Sequence, residues 1–248
     1  ERVNTAKTAA GTPLGVRDSR ATIPLFGLAA AYDLPGKSQG YLNVSQSYRP
    51  VVFTQAVPNA ATNLVNADLE AGRAVQYELG YRVPSVAGLV LDASVFHLEF
   101  DNQIGAIALP GGRSSMGNVG RAVHRGIEAS VHYTLLRAFV PASRATLSLY
   151  ANALFLDARF KQGPVAGRTP QYAPDHLVRS GLVYLRGDRL KFGLTGTLSA
   201  DSFADDANTA SRHVPRYAVW DLTAEVKISR TPLRVIAGVN NVFDEDYY

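Results

Sequence analysis

The chain of 248 residues contains no cysteine, which excludes disulfides, thiolate metal sites and thiol chemistry. It also lacks any run near the ~20 apolar residues that a spanning helix needs. The longest apolar stretches, 25–32 and 88–100, are short and broken by polar residues. Charged residues are scarce at 19%, and the net charge of +4 comes from scattered arginines rather than a Lys/Arg block, so no nucleic-acid footprint is visible. Residues 1–20 lack the charged and then apolar regions of a signal peptide. HExxH, GxSxG and P-loop patterns are all missing, and nothing supports an enzyme. The five histidines, His97, His124, His132, His176 and His213, have no metal-ligand spacing. Asp205 and Asp206 are adjacent carboxylates of the kind that normally face water.

What the chain does have is a period of two. Val75, Tyr77, Leu79, Tyr81 and Val83 alternate with Gln76, Glu78, Gly80 and Arg82. Ile127, Ala129, Val131 and Tyr133 alternate with Glu128, Ser130 and His132, and the same holds around Leu147–Phe155 and Trp220–Ile228. Strands with one apolar and one wet face produce this pattern. It predicts strands over 21–33, 39–50, 73–84, 88–104, 119–136, 143–160, 176–187, 189–203, 215–229 and 233–242. Many exceed the usual soluble strand of about 5–6 residues and suit tilted membrane strands of about 9–11.

The predicted connections alternate in length. Short turns fall at 34–38, 84–87, 137–142, 186–188 and 230–232, and long links at 51–72, 105–118, 161–175 and 204–214. Segregation of short turns from long loops is a property of outer-membrane barrels. Tyr41, Tyr48, Phe100, Phe160, Tyr172, Tyr184, Phe192, Phe203 and Tyr217 lie near predicted strand ends, where an interfacial girdle requires amphipathic rings. Ordinary strand propensity of aromatics is the alternative reason for their presence.

Several stretches resemble the TonB-dependent siderophore-receptor family, in particular its ferric-dicitrate-type branch. They are Tyr77-Glu-Leu-Gly-Tyr81, the run from Phe96 to Ile104, Asn118-Val-Gly-Arg-Ala122 with Arg125-Gly-Ile-Glu128, and the run from Gly167 to Pro174. The closing stretch from Asn240 to Tyr248 is similar to the penultimate-strand signature of that family. Phe203–Thr209 is the segment most similar to the dicitrate branch.

The resemblance implies an all-β fold: a transmembrane antiparallel β-barrel of about 22 strands around an N-terminal plug. This chain would supply about ten of those strands, from the C-terminal part, with the plug and last strand outside it. Residues 1–20 would belong to an outer loop, and the full-length protein would be a monomer of the Gram-negative outer membrane. The implied activity is uptake of a ferric siderophore, with TonB as energy source acting through the plug. The alternatives are a passive porin or a soluble all-β binding module.

No resident cofactor is expected, since iron would travel as a finished chelate. Such an anionic chelate calls for arginine and amide donors to its oxygens. Gln103, Arg113, Arg121, Arg168, Asn208 and Arg212 lie in predicted outer loops or at their bases and are the candidate ligand-binding residues. Solvated or lipopolysaccharide-facing charge is the competing role for each arginine. Lipopolysaccharide and lipid are expected partners, and nucleic acid is not.

Overall fold

A computed structural model of the chain describes residues 6–7, 13–14, 22–51, 63–64, 66, 68–109, 113–135 and 144–247. Ten long strands form one sheet: β1 Gly27–Leu34, β2 Ser38–Arg49, β3 Gly72–Val86, β4 Leu89–Leu109, β5 Arg113–Thr134, β6 Ala145–Phe160, β7 His176–Arg186, β8 Leu190–Ser199, β9 Tyr217–Lys227 and β10 Arg234–Val239. Each pairs antiparallel with its neighbours in sequence, so spatial order equals chain order. β1 and β10 are the two edges of this arc. The two-residue strand Asn63–Leu64 adds to the end of β5, and Ser202–Phe203 pairs with His213–Val214 in a separate small ladder.

All ten predicted strands exist, and their register explains the alternation. Leu42, Leu79, Val95, Ile127 and Phe155 are successive cross-strand partners in one row. Leu149, Leu182, Leu194, Leu222 and Val239 form another. These rows share the convex face, where Leu79 keeps 59% and Phe155 52% of their surface uncovered. On β6 the apolar run of this face goes from Leu147 to Phe155, roughly 27 Å at ~3.4 Å per residue. That matches the ~25 Å apolar band of a membrane barrel.

The opposite face carries the row Gln39, Arg82, Asp92, Ser130, Asn152, Arg179 and Thr197, one residue from each of seven neighbouring strands. It is concave and polar, as a lumen wall must be. Large rings lie flat over glycines of adjacent strands: a Cβ on Gly80 would meet the Tyr41 ring at 2.1 Å, and one on Gly181 the Tyr150 ring at 2.5 Å. Glycine here makes room for an aromatic side chain inside the wall.

The structure corrects three expectations. The link over 105–118 is mostly ladder, since pairing continues from Ile104↔Asn118 to Leu109↔Arg113. Its glycines suggest a loop, yet Gly105 pairs with Gly117, and Ile107 lies over Gly117 where a Cβ would clash at 2.2 Å. The strand over 189–203 stops at Ser199, because Ser202–Phe203 turns to pair with His213–Val214. Of the expected girdle, Tyr48, Tyr184 and Phe192 fall in convex rows, whereas Tyr41, Phe100, Phe160 and Tyr217 fall in concave ones, and Tyr172 and Phe203 are in loop segments. Closeness to a strand end does not decide the face; parity does. The expected turn at 137–142 and most of the expected outer loop at 1–20 lie outside the described residues.

At one end the connections 35–37, 87–88, 187–189 and 228–233 are short, and at the other 161–175 and 200–216 are long, as the sequence predicts. But β4 and β5 are separated at the second end by 110–112 only, and β5 and β6 at the first end by the longer 135–144. At the long-loop end Val119, Ala122 and Phe160 are almost fully buried, with Phe100, Ile107 and Val165 packed on them. A bulge over Phe100–Ile104 and a left-handed Gly120 at φ 118° adapt the hairpin there. A Cβ on Gly120 would stand 1.9 Å from the Gln162 carbonyl oxygen, so only glycine lets the β6–β7 loop come this close.

Candidate ligand site at the loop end

Two long connections, β6–β7 over 161–175 and β8–β9 over 200–216, fold against each other. Asn208 makes the main clamp. Its side-chain oxygen accepts the Thr169 N–H at 2.9 Å, and its amide donates to the Thr169 carbonyl at 2.7 Å. The Gln171 N–H donates to Asp206 at 2.9 Å, and the Tyr172 N–H to the Phe203 carbonyl at 2.8 Å. Asp206 is thus not the solvated carboxylate that its sequence context suggests: it is only 3% exposed, and its second oxygen packs against Gly105 of β4. Burial pushes its carboxyl above the usual range, and the Asp205 charge adds to this. Asp201 goes the other way, because the hydrogen bond from the His213 ring at 3.1 Å favours the carboxylate.

Beneath this clamp lies a recess of about 630 Å³ on the concave side, lined among others by Tyr172, Arg179, Arg212, His213 and Tyr217. Arg212 ends the short turn Ala210–Arg212 and stands 3.9 Å from Asp205, with 65% of its side chain exposed. Arg179 comes from the first half of β7 and also lines a second recess of about 540 Å³ with Tyr41, Glu78, Asp92 and Glu128. In that second recess the Tyr41 hydroxyl donates to Asp92 at 2.9 Å, and the Arg82 guanidinium lies 4.3 Å from the Tyr41 ring centre. The upper recess therefore offers two guanidiniums, two phenols and an imidazole, a donor set suited to anionic oxygen ligands. The lower one is acidic.

The six sequence candidates scatter around this site. Arg212 lines the upper recess, and Asn208 holds the loops above it. Arg168 is exposed in the β6–β7 loop, its N–H bonded to the Val165 carbonyl at 3.0 Å. Gln103 sits in the β4 bulge with its side-chain oxygen buried and unpaired. Arg121 faces the convex side, paired with Glu99 and 3.5 Å from Asp101, away from the recess. The Arg113 backbone belongs to β5, and its side chain lies outside the described residues. Tyr172, Arg179, His213 and Tyr217 also line the recess and are not among the six. The signal for Arg179 was its place on the wet face of β7, four positions beyond the predicted 161–175 loop.

The sequence profile described as "TonB dependent receptor-like, beta-barrel" matches residues 2–242. Among solved structures, the chain is similar to the unliganded ferric citrate transporter FecA, with 24% identity and a TM-score of 0.71 over 91% of this chain. It is also similar to the ferric yersiniabactin uptake receptor FyuA of Yersinia pestis, at 22% identity and a TM-score of 0.73 over 94%. The ferric-catecholate import receptor Fiu of E. coli K12 matches at 20% and 0.71 over 96%. The chain spans 34%, 34% and 33% of those three chains, about a third of each. With a ten-strand meander that is apolar outside and polar inside, and a profile match along nearly its whole length, the chain belongs to the TonB-dependent receptor-like β-barrel family of the outer membrane.

Proposed function

We propose that this chain is the C-terminal barrel portion of a receptor that takes up a ferric siderophore, of ferric-citrate type, across the outer membrane. The observation that carries this reading is the upper recess, where Arg179 and Arg212 converge with Tyr172, His213 and Tyr217 on the concave face under the clamped loops. An iron chelate rich in carboxylates presents oxygens to such donors, and each charge-assisted hydrogen bond contributes about 1.5–3 kcal/mol. Iron is the cargo here, held by its chelator rather than by side chains. The citrate assignment is supported by the Phe203–Thr209 stretch, which builds the clamp, and by the fold likeness to a ferric citrate transporter. Energy from TonB would act through a plug domain, and the full-length receptor would be a monomer.

The test uses the full-length receptor in cells starved of iron. Arg179→Ala and Arg212→Ala should each weaken binding of ferric citrate by roughly 10–100-fold and lower uptake in proportion. Uptake should also stop when TonB is deleted. Unchanged binding in both variants would remove the recess as the ligand site. Solute permeation of liposomes by the receptor alone would favour the passive-channel alternative.

A further inference from the structure

Among the described residues that line the upper recess, His213 is the one whose charge changes between about pH 5 and about pH 8. Its backbone is held in the small ladder, where Phe203 pairs with His213 and Ser202 with Val214. The Ala204 N–H donates to the Arg212 carbonyl at 2.9 Å and closes the turn before it. The ring is held as well. Phe203 meets it edge to face at 5.4 Å between centres, and its Nε2 lies 3.1 Å from the Oδ2 of Asp201. Nδ1 has no partner among the described residues.

That single hydrogen bond sets the tautomer. Asp201 is held in its carboxylate form and can only accept, so Nε2 carries the proton. A neutral imidazole has just one N–H. Nδ1 of neutral His213 is therefore a bare lone pair, which repels an anionic oxygen. Protonation turns the same atom into an N–H donor and adds a positive charge. The neighbours pull in both directions. Arg212 precedes His213 in the turn, with its Nε 3.9 Å from Asp205, and the Arg216 charge acts on Asp201. Tyr172, Arg179 and Tyr217 line the same recess. The three arginines oppose a further positive charge, Asp201 favours it, and a bound anion would favour it too.

On the reading that the upper recess is the ligand site, on which this rests, we propose that His213 makes binding there depend on pH. As imidazolium it donates its Nδ1–H to an oxygen of the anionic chelate, and as imidazole it does not. Binding takes up a proton, and it strengthens as pH falls through the imidazole range, because proton and ligand each raise the affinity for the other. Asp201 is the positioning residue: it orients the ring and stabilises its charge.

The experiment uses the full-length receptor in detergent micelles with ferric citrate as the probe. Calorimetric titration runs from about pH 8 to about pH 5 in buffers of different ionisation enthalpy. The ratio of wild-type to His213→Gln affinity should rise about threefold to tenfold over that range, the lower part of what a charge-assisted bond gives, since the ring is 41% exposed. Taking the ratio at each pH cancels protonation of the chelate itself. The wild type should also take up more protons on binding than the variant, and Asp201→Asn should move the rise in affinity to lower pH. A ratio that stays constant with pH overturns the proposal, as does equal proton uptake. If His213→Gln binds at no pH, Asp201→Asn decides, and an unmoved profile there overturns it too. Weaker binding by Arg179→Ala and Arg212→Ala with a constant His213 ratio overturns the role of His213 alone. Unchanged binding by both arginine variants removes the recess as the ligand site, and the role of His213 with it.

Discussion

The convex row Leu42, Leu79, Val95, Ile127, Phe155 and the concave row Arg82, Asp92, Ser130, Asn152, Arg179 run across the same strands, one residue out of step. On the convex face the side chains do the same job at every strand, which is to be apolar at the right height. On the concave face they differ from strand to strand and bond to particular neighbours, as Tyr41 does with Asp92. One face is specified by an average property and the other by individual contacts. Substitutions should therefore be tolerated on different grounds.

The largest effect should come from charging the convex band. In the full-length receptor, Val131→Arg, paired with Ala151 at the middle of the band, should destabilise by about 2–4 kcal/mol, while Ser130→Ala on the preceding residue should stay within ~0.5 kcal/mol. Denaturant titration in vesicles measures both, and equal losses would break the distinction between the faces. Next come the glycines of the concave face. A Cβ at Gly126 would lie 2.2 Å from the Phe155 carbonyl oxygen and 2.9 Å from the Phe96 ring, whereas at Gly27 the nearest atom is 4.0 Å away. Gly126→Ala should cost about 1–3 kcal/mol, and Gly27→Ala should fall within ~0.5 kcal/mol.

The loop clamp should give a smaller, local change. Asn208 has φ 51°, a conformation that glycine also adopts freely, so Asn208→Gly removes the side-chain bonds while sparing the backbone. Loss of the pair to Thr169 should release about 1–2 kcal/mol of local protection, seen as faster amide exchange at Thr169. The smallest effect concerns Asp206. Burial raises its folded pKa above the unfolded value, so its contribution is full below the unfolded value and is lost as pH rises through the raised one. The Gln171 amide should then be better protected at about pH 4 than at neutral pH, after correction for intrinsic exchange. Asp206→Asn should abolish that difference.

Much of this architecture is legible without coordinates. Alternation located every strand, because membrane strands must keep one apolar face over their whole height. Where reading failed, the physical cause is local ambiguity. Gly105 and Gly117 look like loop residues, yet they are spaces under neighbouring side chains. Tyr41 and Phe160 look like girdle residues, yet they line the concave side. Arg121, expected at the base of a loop over 105–118, stands inside β5, and its parity turns it outward to Glu99.

By itself the sequence determined the number of strands, their order and the character of each face. Period and turn spacing are local properties, and a meander pairs only neighbours. The tertiary structure alone decided which loops meet, placing Asn208 on Thr169 and Asp206 on Gln171, over the recess that Arg179 and Arg212 line together. Those contacts join residues more than thirty positions apart. They depend on how strongly the sheet curves and how closely Gly120 lets the β6–β7 loop approach.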